Sequence, residues 1–260
     1  MCSSDLDKMA RATSLVSDRW QQAMIAHVWS AGEVLTLDPA TGVRGDTVLT
    51  RHYNDFPNLR WLGNKPTAKL RMFSQDESGW WVCVECRVKL NTPGRTDGEN
   101  QLWIDGRLEA ERKNLDWRGR YTGHGVNAVF LEAYWNNGSP VTQKRWFDNF
   151  VISTRPIGPV VCPANPTLIR TAWRGSQPQP AWQVQIAGDA DGRSVVWRSR
   201  QQHATDRLAV NGETGTFAGD LAGRTALSPG RTYYCRIRQQ DAHGTWSAWS
   251  PWHQGFTVAD

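Results

Sequence analysis

LSPGRTYYCRIRQQDAHGTWSAWSPW, residues 227–252, decides how the second half of this chain folds. Tyr233–Arg238 reads as a short strand, and Arg236 and Arg238, two apart, project to one face of it. Trp246, Trp249 and Trp252 recur every three residues. That is the period of a polyproline II-like strand, so the three rings can share one face. Guanidinium planes stacked between indoles gain about 0.5–2 kcal/mol per contact. Trp246 and Trp249 are therefore expected to interleave with Arg236 and Arg238 on the outside of a β module.

Working outward, short strands recur about every ten residues: Ile169–Trp173, Trp182–Ile186, Val195–Arg198, Tyr233–Arg238 and Phe256–Val258. Residues 163–260 hold ten Arg and no Lys, which suits stacking. AWQVQIA (181–187), VVWRS (195–199), the 227–252 stretch and FTV (256–258) together resemble a fibronectin type III domain. Trp173 stands where that family has its buried strand-B Trp. Leu227, Pro229, Gly230 and Tyr233 match the turn and Tyr leading into strand F. Trp246-Ser-Ala-Trp-Ser250 also matches the WSxWS motif of cytokine receptors. The resemblance implies an immunoglobulin-like sandwich that spaces or presents a partner domain and does no chemistry. A protein-binding, receptor-like role would rest on WSxWS alone.

Upstream, TRPIGPVVCPANP (154–166) places four prolines within residues 156–166 and marks a stiff boundary. The expected layout is an N-terminal segment 1–46 of uncertain fold, a first domain at 47–157, a linker at 158–166 and a second domain at 167–260. Within 1–30, Leu15, Trp20, Met24, His27 and Val28 have the spacing of a loose amphipathic helix. From Thr47 onward the pattern is β. WWVCVECRVKL (80–90) alternates cleanly, with Val82, Val84, Cys86, Val88 and Leu90 on a core face. Trp81, Cys83, Glu85, Arg87 and Lys89 lie on the other. Gln101–Ile104 turns at Asp105-Gly106, a strong hairpin signal, into Arg107–Glu111. Val126–Trp135 divides Val129, Leu131 and Ala133 from Phe130, Glu132 and Tyr134. Arg145–Ser153 is expected to close the domain as a strand.

VKLNTPG (88–94), LWIDG (102–106), NLDWR (114–118), VFLEAYWNNG (129–138) and WFDNFVIST (146–154) carry a second resemblance. Residues 47–157 are similar to concanavalin A-like jelly-roll sandwiches, in particular the polysaccharide lyase-type and related glycan-binding members. Such relatives are longer at the front, so the resemblance implies an N-terminally incomplete jelly roll. The fold class is thus all-β, a jelly-roll β-sandwich followed by a fibronectin type III sandwich. The implied function is binding, and β-eliminative cleavage, of an acidic polysaccharide outside the cell. The alternative is a non-catalytic carbohydrate-binding or adhesion protein.

A uronate lyase must neutralise a carboxylate, abstract the C5 proton and protonate the leaving oxygen. Arg87 and Lys89 could pair with the carboxylate; Tyr121, His124 or Tyr134 could act as base or acid. Trp81, Trp103 and Trp135 could stack on sugar rings, and Gln101, Glu85 and Glu132 supply polar contacts on strand faces. A hydrolase would need two carboxylates across a groove. Glu85 and Glu132 are the available pair, but the EXDXXE-like cluster of retaining sandwich hydrolases is absent. No cofactor is expected; a structural calcium could use Asp148.

Composition bounds these readings. The net charge of +5 is scattered: 9 basic and 9 acidic groups in residues 1–79, 11 and 9 in 80–162, and 10 and 7 in 163–260. No Lys/Arg run marks a nucleic-acid track, whereas mild basicity suits an acidic polysaccharide. No apolar run spans a bilayer. MCSSDLDKMARATS lacks the layout of a signal peptide, so an exported form is expected to begin upstream of Met1. Cys83 and Cys86 form a CxxC without a second pair, which points away from zinc. Nine of the 15 Trp precede the linker, where they could serve either as sugar platforms or as core.

Overall fold

The computed structural model describes residues 8–74, 81–134, 138, 142, 144–159, 161–170, 181–203 and 205–260. Trp173 and Trp135 lie outside the described residues. The chain divides into two compact units, Met1–Ile157 and Gly158–Asp260, and both are β-sandwiches.

In the first unit the strands are β1 (Lys8–Val16), β2 (Gln21–Ala31), β3 (Val34–Thr41), the short pair β4 (Val43–Arg44) and β5 (Thr47–Val48), β6 (Arg60–Trp61), β7 (Val84–Lys89), β8 (Gly98–Ile104), β9 (Arg107–Leu115) and β10 (Ala128–Tyr134). One sheet has five strands in the order β10-β1-β2-β3-β6; a second has three, β7-β8-β9. Met9, Val28, Leu35 and Leu37 of the first meet Leu102, Ile104 and Ala110 of the second in a shared core, with Val82 and Val84 packed against it. Met24, Ala26, Leu115 and Trp117 form an adjoining cluster that Val88 and Leu90 flank. The apolar face expected for residues 80–90 therefore points inward, except that Cys86 is exposed.

The helical spacing within residues 1–30 does not produce a helix. Residues 8–31 form β1 and β2, joined through a turn in which Ser17 and Trp20 take positive φ (61° and 54°). The decisive periodicity is two: Met24, Ala26 and Val28 enter the core while Ile25, His27 and Trp29 face the other way. The front segment is thus the centre of the larger sheet and no appendage to it.

Two of the quoted sequence pieces lock together. Asn91 Oδ1 accepts the N–H groups of Trp117 (2.7 Å) and Arg118 (3.1 Å), and its Nδ2 donates to Arg95 O (2.8 Å). KLNTPG and NLDWR are therefore two sides of one turn cluster above the fully buried Trp117. Gly119 has φ +51° and packs so closely that a Cβ there would sit 2.3 Å from Gly45 O. Asp105 and Gly106, at φ 49° and 75°, make the tight β8–β9 hairpin that their sequence announces.

Arg145–Ser153 is not a strand. Trp146, Phe147, Phe150, Val151 and Ile152 are exposed, while Arg145 Nη1 donates to Glu132 O (3.2 Å) and Ile157 N donates to Glu85 Oε1 (3.0 Å). Val129 and Leu131 on β10 are also exposed.

The second unit contains β11 (Val161–Cys162), β12 (Thr167–Ile169), β13 (Ala181–Ala187), β14 (Val195–Ser199), β15 (Arg207–Ala209), β16 (Gly215–Phe217), β17 (Thr232–Gln240) and β18 (His253–Val258). The sheet β11-β18-β17-β13-β14-β16 packs on the pair β12-β15 around Trp182, Ile186, Trp197, Leu208 and Tyr233. Part of the expected linker is thus sheet: β11 pairs in parallel with β18, and Pro166 O accepts the N–H of Val210 (2.8 Å). The Tyr233 hydroxyl accepts the N–H of Ser228 (2.9 Å), pinning the corner before β17.

The Trp–Arg interleaving is present, and Trp252 extends it. Arg238 lies 4.5 Å from the Trp246 ring and 4.7 Å from Trp249; Arg236 lies 4.9 Å from Trp249 and 4.5 Å from Trp252. Gln183 and Gln185 on β13 each accept two N–H bonds from one guanidinium, at 2.6–2.9 Å, and set its plane. Ser247 N and Ser250 N donate to Gln239 O (2.8 Å) and Ile237 O (2.9 Å), holding the Trp-bearing segment along β17. These indole faces are occupied by guanidinium and are not open platforms for a sugar.

Candidate functional site

The residues expected to act together do not share one surface. Arg87, Lys89 and Gln101 lie on the outer face of the three-stranded sheet, opposite the core-facing Val84 and Val88. Glu99 neutralises both cations: Arg87 Nη1 is 2.6 Å from its Oε2 and Lys89 Nζ is 3.1 Å from its Oε1. Arg87 also donates to Gln101 Oε1 (2.7 Å), and Gln101 donates to Glu111. A substrate carboxylate there would have to displace Glu99. Glu85 and Trp103 are cross-strand partners on this same side, and Trp81 is exposed just before β7. Tyr121 and His124 stack at 5.5 Å in the loop after β9. Burial, then the Arg118 charge, pushes the His124 imidazole down to about 4. Asp148 is exposed and accepts the N–H of Asn149 (2.7 Å), which is turn chemistry. Among the described residues no group of three or more His, Cys, Asp or Glu side chains could hold a metal ion.

Tyr134 and Glu132 sit elsewhere, on the face of the five-stranded sheet that looks away from the core, and there they meet a cluster from β1, β2, β3 and the segment 53–65. A bulge between Lys8 and Ala10 creates it. Residues three apart on a regular strand face opposite ways, yet Lys8 pairs with Trp29 and Arg11 with His27, so both cations share one face. Thr36 and Asp38 continue that face on β3, and Trp61 continues it on β6.

The cluster is dense and mostly dry. Lys8, Arg11, His27 and Asp38 are all buried. Arg11 Nε donates to Glu132 Oε1 (3.0 Å) and Nη2 closes the ion pair on the same oxygen. Its Nη1 donates to Asn54 Oδ1 (3.0 Å), and Tyr53 and Phe130 rings flank the guanidinium at 5.2 and 5.5 Å. Lys65 Nζ is 2.8 Å from Asp38 Oδ2 and lies over the Trp29 and Trp61 rings. Lys8 Nζ stands among Tyr134 (4.6 Å), Trp29 (5.5 Å) and Phe56 (5.7 Å). His27 lies edge-on to Trp29 (4.9 Å) and stacks on Trp61 (6.2 Å), and neither of its nitrogens meets a hydrogen-bond partner among the described residues. At the surface this cluster presents Tyr134, Phe56, Trp61 and Lys65.

The electrostatics follow from that count. Among the described residues three cations, Lys8, Arg11 and Lys65, face two carboxylates, Glu132 and Asp38, each held by one cation. Lys8 has no carboxylate of its own among the described residues, and burial, then Arg11, lowers its ammonium from the usual range. Burial raises the Asp38 carboxyl. Burial, then the charges of Arg11, Lys8 and Lys65, pushes the His27 imidazole down to about 2, so His27 is neutral.

A pH dependence follows. In the unfolded chain His27 titrates near its ordinary value of about 6.5, whereas the folded state keeps it neutral far below that. Its contribution to stability is complete above that pH and is lost as pH falls, by about 1.4 kcal/mol per pH unit. From about pH 7.5 to 5 urea melts are expected to lose about 2 kcal/mol through His27 alone. Asp38, raised by burial, contributes in the opposite sense. The His27→Gln variant should lack this component; identical pH slopes in both proteins would show that His27 titrates alike in the folded and unfolded chain.

Comparison with family models, with curated proteins and with solved structures finds no match for this chain. Reading the sequence missed Lys8, Arg11, His27, Trp29, Trp61 and Lys65. The available signal was the alternation of Met24, Ala26 and Val28 with Ile25, His27 and Trp29; it was obscured by the helix-like spacing of Leu15, Trp20, Met24 and His27.

Proposed function

We propose that this protein binds an acidic polysaccharide on the polar face of its five-stranded sheet, outside the cell, with the second unit as a spacer of fibronectin type III kind. The observation that carries the reading is Lys8. A buried ammonium without a carboxylate costs several kcal/mol, and hydrogen-bonded anions are the usual compensation. Here that cation, without a carboxylate among the described residues, lies beside Tyr134 and Phe56, which with Trp61 on the same face offer flat apolar surfaces to sugar rings. Carboxylates repeating along a polymer match both features; a neutral glycan matches only the second.

Cleavage by β-elimination is the second reading, favoured by the exposed Tyr134 beside Lys8, with Arg11 behind it. The cations would stabilise the enolate formed when a base removes the C5 proton. The electron pair then forms the C4–C5 double bond, the C4–O bond breaks, and an acid protonates the leaving oxygen. Hydrolysis fits less well, since Glu132 and Asp38 are each held by a cation and neither is free to act as acid or nucleophile.

Binding is tested with alginate, glucuronan and heparin-like chains against a neutral polysaccharide, at two salt concentrations. Uronate polymers are expected to bind, more weakly at high salt. Lys8→Met should weaken them by about tenfold or more, equivalent to about 1.4 kcal/mol. The same variant should melt no lower than the parent, because Met fills the space and removes a buried repulsion with Arg11. Unchanged uronate affinity in Lys8→Met would sink this reading.

A further inference from the structure

The polar face ends at β6, and there a depression of about 210 Å³ opens between β6 and β9. Arg60, Trp61, Arg112, Asn114 and Asp116 are among its walls. Arg60 is more than half exposed, and Asp116 Oδ2 lies 4.0 Å from it, a loose pairing. The other Asp116 oxygen is already engaged, accepting Gly119 N (2.6 Å) and Asn91 Nδ2 (3.2 Å). Arg112 Nη2 donates to Leu62 O (3.0 Å), while its Nε meets no acceptor among the described residues. Two guanidinium groups thus face one carboxylate. Gly63, at φ +95°, leaves room for the Arg112 head: a Cβ there would lie 2.6 Å from Nη2.

Trp61 joins the depression to the polar face. It lines the depression, and its ring also stacks on His27 and faces Lys65. From β10 to β6 the face is about 19 Å wide at the usual spacing of strands. A saccharide crossing the strands from Tyr134 leaves the sheet at Trp61 and meets Arg60 and Arg112 next.

We propose that this depression is a carboxylate subsite that takes one uronate of the chain beyond the polar face, with Arg60 and Arg112 as its donors; this deepens the acidic-polysaccharide reading and rests on it. Guanidinium groups pair with carboxylates through parallel N–H bonds. A neutral sugar in the same place would leave the excess guanidinium charge of Arg60 and Arg112 without a counter-charge, so the subsite selects for charge.

The test uses the ¹⁵N-labelled full chain and follows the Arg112 Nε–H resonance during titration with free glucuronate or its uncharged methyl ester. A saturable shift at millimolar glucuronate, none with the ester, and loss of the effect in Arg60→Gln are expected. No shift with glucuronate overturns the subsite, and an equal shift with the ester overturns its carboxylate specificity. Oligouronates of increasing length separate the two readings. Arg60→Gln should weaken only the longer oligomers, by about 3–10-fold, or about 0.7–1.4 kcal/mol. If Lys8→Met weakens all lengths while Arg60→Gln weakens none, the polar face stands and the subsite falls. If the Arg112 signal responds to glucuronate while Lys8→Met changes no oligomer affinity, the subsite stands and the polar-face reading falls.

Discussion

Glu132→Ala is expected to destabilise the first unit by about 3–5 kcal/mol, the usual cost of removing one partner of a buried ion pair. Arg11 is 5% exposed, and Glu132 receives both its Nε and its Nη2. Without Glu132 the guanidinium stays buried beside Lys8, and the cluster holds three cations against Asp38 alone. Urea midpoints should fall at unchanged m, because the area buried on folding hardly changes. Replacing both partners, Arg11→Leu with Glu132→Leu, should recover most of the loss, since two apolar side chains leave no orphaned charge. A single-variant loss below about 1 kcal/mol, as surface ion pairs give, would mean that water reaches Arg11.

Tyr134→Phe should lower the formation of ultraviolet-absorbing unsaturated uronates by about 10²–10⁴-fold if the protein is a lyase, the range for removing a general acid or base. The ring that covers Lys8 at 4.6 Å is kept, so the fold and the binding of the polymer should be nearly unchanged. Loss of rate without loss of affinity assigns the hydroxyl to the chemistry. Equal loss of both would mean that Tyr134 serves binding only. If the parent protein binds uronate polymers and yields no unsaturated product, the non-catalytic carbohydrate-binding reading remains.

Each half of the fold was legible to a different depth. In the second unit, Arg236, Arg238, Trp246 and Trp249 could be placed because their partners lie in two neighbouring extended segments whose periods, two and three, determine which way each side chain points. The same holds for the β8–β9 hairpin, where Asp105-Gly106 is local turn chemistry. Val84 and Val88 were readable as core for a similar reason: alternation along one strand needs no knowledge of what packs on it.

The site was not legible in this way. Arg87 and Lys89 had the right chemistry for a uronate, but Glu99, ten and twelve residues away in sequence, already holds them. Arg11 and Glu132 lie 121 residues apart, and nothing local in either segment announces the other. His27 offered a helix-like spacing to the eye, and only its burial between β1 and β3 makes it a neutral imidazole.

The sequence by itself determined the all-β class of residues 47 onward, the Asp105-Gly106 turn, the inward face of Val82, Val84, Val88 and Leu90 and the Trp–Arg stacking, because these depend on backbone periodicity and on residues close along the chain. Tertiary structure alone decided that residues 8–41 form the centre of the larger sheet and that Lys8 and Arg11 share a face. For the shared face the physical reason is the bulge at Lys8–Ala10: one residue of register shift moves a side chain from one side of a sheet to the other. That shift is set by pairing with β2 and β10, strands whose position no local pattern in residues 8–11 encodes.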